Sequence, residues 1–123
     1  MKVLIATQKP FAAAAVKGIR EILEGAGHEV VLLEKYAEAK DLIDAVADVE
    51  AMIIRSDKVT PEVLDAAKKL KIVVRAGAGF DNVDLAAATA HGVVVENTPG
   101  QNANAVAELA IALMIFMSRN QFT

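Results

Sequence analysis

Two polar clusters, each following a short apolar run, hold most of the residues in this chain that could do chemistry. Arg55-Ser56-Asp57 follows Ala51-Met52-Ile53-Ile54. Arg75 leads into Gly77-Ala78-Gly79-Phe80-Asp81-Asn82 after Ile72-Val73-Val74. An arginine offers a planar fork of donors suited to a carboxylate or phosphate, and a serine adds a hydroxyl donor. Small residues such as Gly77, Ala78 and Gly79 let backbone N–H groups approach an anion closely. The chemistry in view is therefore the holding of a small anion. A plainer reading stands beside it. Arg55-Ser56-Asp57 also suits an exposed turn with Asp57 as a local cap, and the glycines suit a tight strand-to-helix turn. Asp81-Asn82-Val83-Asp84 reads as the cap and opening of the next helix, and Asn102 as the N-cap of the last one.

The Gly77 to Gly79 run imitates a dinucleotide fingerprint, but Asn82 stands where the third glycine is required, and a lone Gly-x-Gly is a weak signal. Glu96 sits where a ribose-binding acid could be sought, yet the first strand and the spacing do not support that role. We read no complete NAD site. The end of the first strand, Thr7-Gln8-Lys9-Pro10, lacks the acidic pair of a phospho-receiver and the hydroxyl-rich phosphate loop of a flavodoxin. The chain has no cysteine, which excludes disulfides, thiol nucleophiles and thiolate metal sites. His91 precedes Gly92 at a helix end, where a cationic ring meets the negative end of the helix, and His28 follows a turn glycine. Neither has a catalytic partner visible in sequence. No His–acid spacing suggests a metal. The net charge of −3 argues against nucleic acid. The N-terminal run is too short for a signal peptide, and Leu109 to Met117 is too short to span a bilayer, so the expectation is a soluble cytoplasmic protein.

The elements that must position these residues alternate along the chain. Apolar strands are expected at 3–5, 30–33, 51–54, 72–74 and 93–95. Helices are expected at 12–24, 39–46, from Thr60-Pro61 onward, at 84–91, and from Asn102 to Ser118. Gly25-Ala26-Gly27 and Gly92 are expected helix stops. Thr60 should cap its helix, with Pro61 at the first helical position. Continuous apolar strands indicate a parallel sheet covered on both faces. The expected fold is α/β: a flavodoxin-like doubly wound sandwich with a five-stranded parallel sheet, ending in a long apolar helix. With 54% hydrophobic but only 4% aromatic residues, its core must be built from Ala, Val, Ile and Leu. The final helix leaves almost no polar face, so it must be buried all round, and one sheet covers only one side.

Arg75-Ala76-Gly77-Ala78-Gly79-Phe80-Asp81-Asn82-Val83-Asp84, followed by Val93-Val94-Val95-Glu96-Asn97-Thr98-Pro99 and Asn102, resembles the substrate domain of the D-2-hydroxyacid dehydrogenases. Within that family it looks most like the phosphoglycerate dehydrogenases. The resemblance implies that residues 1–101 form a substrate-binding domain and that 102–123 begin the interdomain and dimerisation helix of a nucleotide-binding domain. It implies that Arg55 and Ser56 contact substrate, that Ala78 and Gly79 present backbone to its carboxylate with Arg75 nearby, and that Asn102 (with Asn104 as a rival) reaches it from the hinge. The implied reaction oxidises 3-phospho-D-glycerate to 3-phosphohydroxypyruvate in serine biosynthesis, although other members act on glyoxylate, hydroxypyruvate or lactate-like acids. It also implies that NAD, and a catalytic Arg, Glu and His, belong to a region downstream of residue 123. On this reading the chain holds no cofactor and no catalytic residue, is inactive alone, and forms a homodimer through the 102–118 helix. The alternative is a free-standing flavodoxin-like binding or assembly module that pairs through the same helix.

Overall fold

Five runs rich in Val, Ile and Leu pair side by side as one parallel sheet. The computed structural model describes residues 2–8, 13–55, 57–76, 82–98, 108, 111 and 112. Its strands are Lys2–Thr7 (β1), Glu29–Glu34 (β2), Ala51–Ile54 (β3), Ile72–Ala76 (β4) and Val94–Thr98 (β5). Between them lie Ala13–Gly25 (α1), Ala39–Ala45 (α2), Pro61–Ala66 (α3) and Leu85–Ala90 (α4). The strand order is β2-β1-β3-β4-β5, every neighbouring pair parallel. This is the flavodoxin-like doubly wound order, and its direction of growth reverses between β1 and β3.

The side-chain period of two sorts the core into two layers. Val3, Ile5, Ala51, Ile53, Ile72 and Val74 pack with Ile19 and Leu23 of α1. Leu4, Ala6, Met52, Ile54 and Val73 pack on the opposite face with Leu42, Val46, Val63, Leu64 and Ala88. The apolar residues of the three inner strands are thus buried from both sides, which is why those strands read as unbroken apolar runs.

The caps expected at the starts of α3 and α4 are present. The Thr60 side chain accepts from Val63 N–H (3.3 Å), with Pro61 at the first helical position, and Asp84 accepts from Ala87 N–H (2.9 Å). α1 ends in a Schellman motif: Gly27 has φ +91°, its N–H meets Glu24 C=O at 3.0 Å, and His28 N–H meets Leu23 C=O at 3.0 Å. α4 repeats the motif at Gly92 (φ +71°), where buried Val93 donates to Ala88 C=O at 2.8 Å.

Element boundaries match the sequence expectation or differ from it by up to three residues. The difference that matters is at β4, which runs on to Ala76 because ladder hydrogen bonds to β3 and β5 continue past the apolar residues. Arg75 is consequently a strand residue, paired with Ile54 on one side and Asn97 on the other. Of the expected last helix, Glu108, Ile111 and Ala112 are helical, and the rest lies outside the described residues. Among the described residues no helix is long and apolar enough to cross a membrane.

Candidate functional site

Parallel strands direct all their carboxyl ends to one edge of the sheet, and ligands in such folds bind outside that edge. Here the edge carries Gln8 after β1, Lys35 and Tyr36 after β2, Arg55 and Asp57 after β3, and Arg75 within the last turn of β4. The ends of β3 and β4 are tied together by side chains. Arg75 Nε donates to Arg55 C=O at 3.0 Å. Asn82 Nδ2 donates to the same carbonyl at 3.1 Å and to Asp57 C=O at 2.7 Å. Facing two carbonyl oxygens, the Asn82 amide can present only its NH₂. Its Oδ1 is buried and unpartnered among the described residues. Beyond the strands the pairing resumes for one step, with Val59 N–H on Asn82 C=O at 2.9 Å and Asp84 N–H on Val59 C=O at 3.0 Å.

This arrangement brings two arginines from adjacent strand ends together, both half-buried. The Arg75 guanidinium is held through its Nε on the Arg55 carbonyl, which puts a donor fork of the kind that suits a carboxylate or phosphate at this sheet edge. A cleft of about 330 Å³ opens beside it, lined by Lys58, Thr60, Asn82 and Asp84 among others. A second, of about 270 Å³, is lined by Gln8, Tyr36, Ala39, Leu42 and Lys58. The exposed Lys58 borders both and adds a third cation to the edge.

Of the residues singled out in the sequence, Arg55 and Arg75 are brought together. Ser56, Ala78, Gly79 and Asn102 lie outside the described residues, as does Asn104. Asp57 is more than the local cap that its sequence context suggests. Only 2% exposed, it accepts from Gln8 N–H at 2.9 Å and from the Tyr36 hydroxyl, and at 3.4 Å from Arg55 N–H. Burial, then the Asp57 carboxylate, pushes the Tyr36 phenol well above its ordinary range, so the hydroxyl stays a donor. Tyr36, Asn82 and Lys58 were not legible as site residues. Their roles depend on which strand ends adjoin, and only the run Asp81 to Asp84, read as a helix opening, pointed near one of them.

The carboxylate of Asp57 lies at the point where strand order reverses, between the ends of β1 and β3. A dinucleotide pyrophosphate needs N–H donors and close glycines there. A buried anion already bonded to Gln8 N–H does not fit one, and no step of a nicotinamide reaction is assigned to these residues. Elsewhere, His91 donates from Nδ1 to Ala87 C=O (2.8 Å) while Nε2 meets Asp65 Oδ1 (2.7 Å). Both contacts raise its pKa, the backbone carbonyl first. The pair joins α4 to α3, away from the strand ends. His28 is shifted down, chiefly by burial. Among the described residues no three acidic or histidine side chains converge as a metal site.

A doubly wound parallel sheet with arginines at the carboxyl ends of β3 and β4 defines an α/β domain of the class whose ligands bind outside that sheet edge. The chain belongs to the family described as D-isomer specific 2-hydroxyacid dehydrogenase, catalytic domain, whose profile matches residues 4–121. It is similar to D-3-phosphoglycerate dehydrogenase of Sus scrofa, 46% identical over 101 residues, covering 81% of this chain and 19% of that protein. The Archaeoglobus fulgidus D-3-phosphoglycerate dehydrogenase is 44% identical over 120 residues, covering 97% of this chain and 21% of that protein. Among solved structures, the NAD⁺-bound 3-phosphoglycerate dehydrogenase of Entamoeba histolytica superposes with a TM-score of 0.81 at 55% identity, over 100% of this chain and 41% of that one. The chain thus spans about a fifth of the length of these curated relatives.

Proposed function

We propose that this chain is the substrate-domain portion of an NAD-dependent D-2-hydroxyacid dehydrogenase of the phosphoglycerate dehydrogenase type. In that reading residues 1–101 bind and orient 3-phospho-D-glycerate, and 102–123 begin the connection to a nucleotide-binding domain. The observation that carries it is the Arg75 Nε bond to Arg55 C=O, which sets two guanidinium-bearing residues side by side at the ligand edge of the fold. Two cations suit a substrate with two anionic groups, a carboxylate and a phosphate, better than a single carboxylate. NAD, which would supply the hydride acceptor, would be held outside these residues. Removal of the hydroxyl proton is assigned to the nucleotide-binding half of the enzyme, and the residues here hold the acid in place. Substrate affinity in this portion alone is expected to be weak, because other residues of the enzyme complete the site.

A ¹⁵N-labelled sample of the chain titrated with 3-phospho-D-glycerate, D-glycerate and glyoxylate tests this reading. The arginine Nε–H resonances of Arg55 and Arg75 should shift with 3-phospho-D-glycerate at millimolar concentration and less with the two acids lacking phosphate. Equal response to all three would remove the phosphate preference; no response at either arginine would remove the site. A second reading, an assembly module that pairs through the 102–118 helix, draws on the half-buried seat of Ile111 against the α1-side core.

A further inference from the structure

We propose that Asp57 and Tyr36 are positioning residues that lock the Arg55 backbone into the conformation from which its side chain meets the anion. The proposal rests on the substrate-site reading above and extends it to two residues that do not touch the ligand.

Asp57 gathers the ends of three strands. Its Oδ2 takes Gln8 N–H from the end of β1 and the Tyr36 hydroxyl from beyond β2, and its Oδ1 takes Arg55 N–H beside β3. A local cap would need only the last of these. The first two come from residues 49 and 21 positions away. Burying a carboxylate against neutral donors is costly compared with burying an apolar side chain of similar volume. Its presence is accounted for by what it fixes. Arg55 is held at its N–H by Asp57 and at its C=O by Arg75 and Asn82, and Asp57 C=O is held in turn by Asn82. The Arg55 peptide groups on both sides are thereby anchored, and its side chain starts from a fixed point.

The route that delivers Tyr36 is itself strained. Lys35 has φ +55°, the left-handed region that a residue with a Cβ adopts at a cost, and its N–H is fastened to Thr7 C=O at 3.1 Å. That kink turns the chain off the end of β2 and brings the Tyr36 hydroxyl to Asp57. A strained residue directly before a half-buried phenol–carboxylate contact marks a segment shaped for that contact. The phenol also borders the cleft of Gln8, Ala39, Leu42 and Lys58, but its hydroxyl is committed to Asp57.

The test compares the wild-type chain with Tyr36→Phe and Asp57→Asn by amide hydrogen exchange and by titration with 3-phospho-D-glycerate. Tyr36→Phe keeps the ring and removes only the hydroxyl. Its core amides in β1, β3 and β4 should be unchanged, while the Arg55 and Gln8 amides shift and exchange about tenfold faster. Affinity for the phosphorylated acid should fall about fivefold, the worth of one ordinary hydrogen bond, because the hydroxyl acts on the anion only through Asp57 and Arg55. Asp57→Asn should move the same amides further. An Arg55 amide that exchanges at the wild-type rate in Tyr36→Phe, with affinity retained, overturns the proposal. If wild type ignores the ligand, the substrate-site reading fails by itself. The Arg55 exchange rate then decides the latch separately, an unchanged rate overturning it and a faster one supporting it.

Discussion

At the scale of single residues, the ligand edge depends on which atoms donate and which accept. Asn82 places its NH₂ on two carbonyls, so Asn82→Ala takes this donor from the Asp57 carbonyl and leaves the Arg55 carbonyl to Arg75 Nε, and should cost about 2 kcal/mol. Asn82→Asp keeps the shape but sets a carboxylate against two carbonyl oxygens, and should cost more than the alanine. Urea unfolding of the three proteins checks the order, and an aspartate variant as stable as wild type would mean the amide does not make these bonds. Arg55 and Arg75 separate differently. Arg55→Ala should weaken 3-phospho-D-glycerate binding about tenfold, the loss of one charge-assisted contact, with little change in stability. Arg75→Ala should weaken binding similarly and also lower stability by about 1 kcal/mol, because its Nε holds the Arg55 carbonyl. Calorimetric titration beside thermal unfolding would show the split. The arginines were legible in sequence because each directly follows or ends an apolar run. Asp57 was legible only as a turn residue, since its partners Gln8 and Tyr36 become neighbours only once β1 is known to lie between β2 and β3.

At the scale of elements, the stops and clamps of the helices carry their own tests. Gly27 and Gly25 stand two residues apart, and neither would bring a Cβ within 4 Å of another group. Gly27 has φ +91°, so Gly27→Ala should destabilise by about 1 kcal/mol through backbone strain alone. Gly25 is the last residue of α1, and Gly25→Ala should stabilise by about 0.5 kcal/mol, since alanine is the better helix former. Opposite signs in paired urea titrations are the expected result. The α3–α4 clamp depends on pH. His91 satisfies both the Ala87 carbonyl and the Asp65 carboxylate only as the doubly protonated ring, and its folded pKa is raised. A raised folded pKa means the contribution is complete below the ordinary histidine value and fades as pH rises through the folded one, with nearby Lys68 opposing it. The stability gap between wild type and His91→Ala should therefore be larger at pH 6 than at pH 8, and a ring titration by NMR should give a midpoint above the ordinary value. An equal gap at both pH values would show that the clamp is not protonation-dependent. Strand and helix identity was open to sequence reading because local signals set it: unbroken Val/Ile runs, Thr60-Pro61, and glycine after α1 and α4. The Asp65–His91 contact was not, because it joins residues 26 apart through the packing of two helices.

At the scale of the molecule, the described residues cover the two faces of the sheet unequally. α2, α3 and α4 supply the core partners on one side, whereas α1 is the only complete helix among the described residues on the other. Ile111 packs on that second side, against the layer containing Val3, Ile53 and Val74. The run around it, Leu109 to Met117, is apolar at every turn position. A helix continued regularly from Ile111 would turn position 113 about 200° away from it. If an apolar stripe on that side is left uncovered in a single copy, an exposed patch of that kind draws a second molecule. A closed pair is the simplest assembly, because the same stripe on two copies is self-complementary about a twofold axis. Light scattering on the chain at tens of micromolar should accordingly give the mass of a dimer. Leu113→Glu should give a folded monomer, since a charge at the centre of an apolar contact is costly to bury. A wild-type monomer with native circular dichroism would mean that the helix is covered entirely within one copy, and the assembly argument would fail with it. A Leu113→Glu variant that unfolds instead of dissociating would place Leu113 in the core of a single copy and count against the interface in the same way.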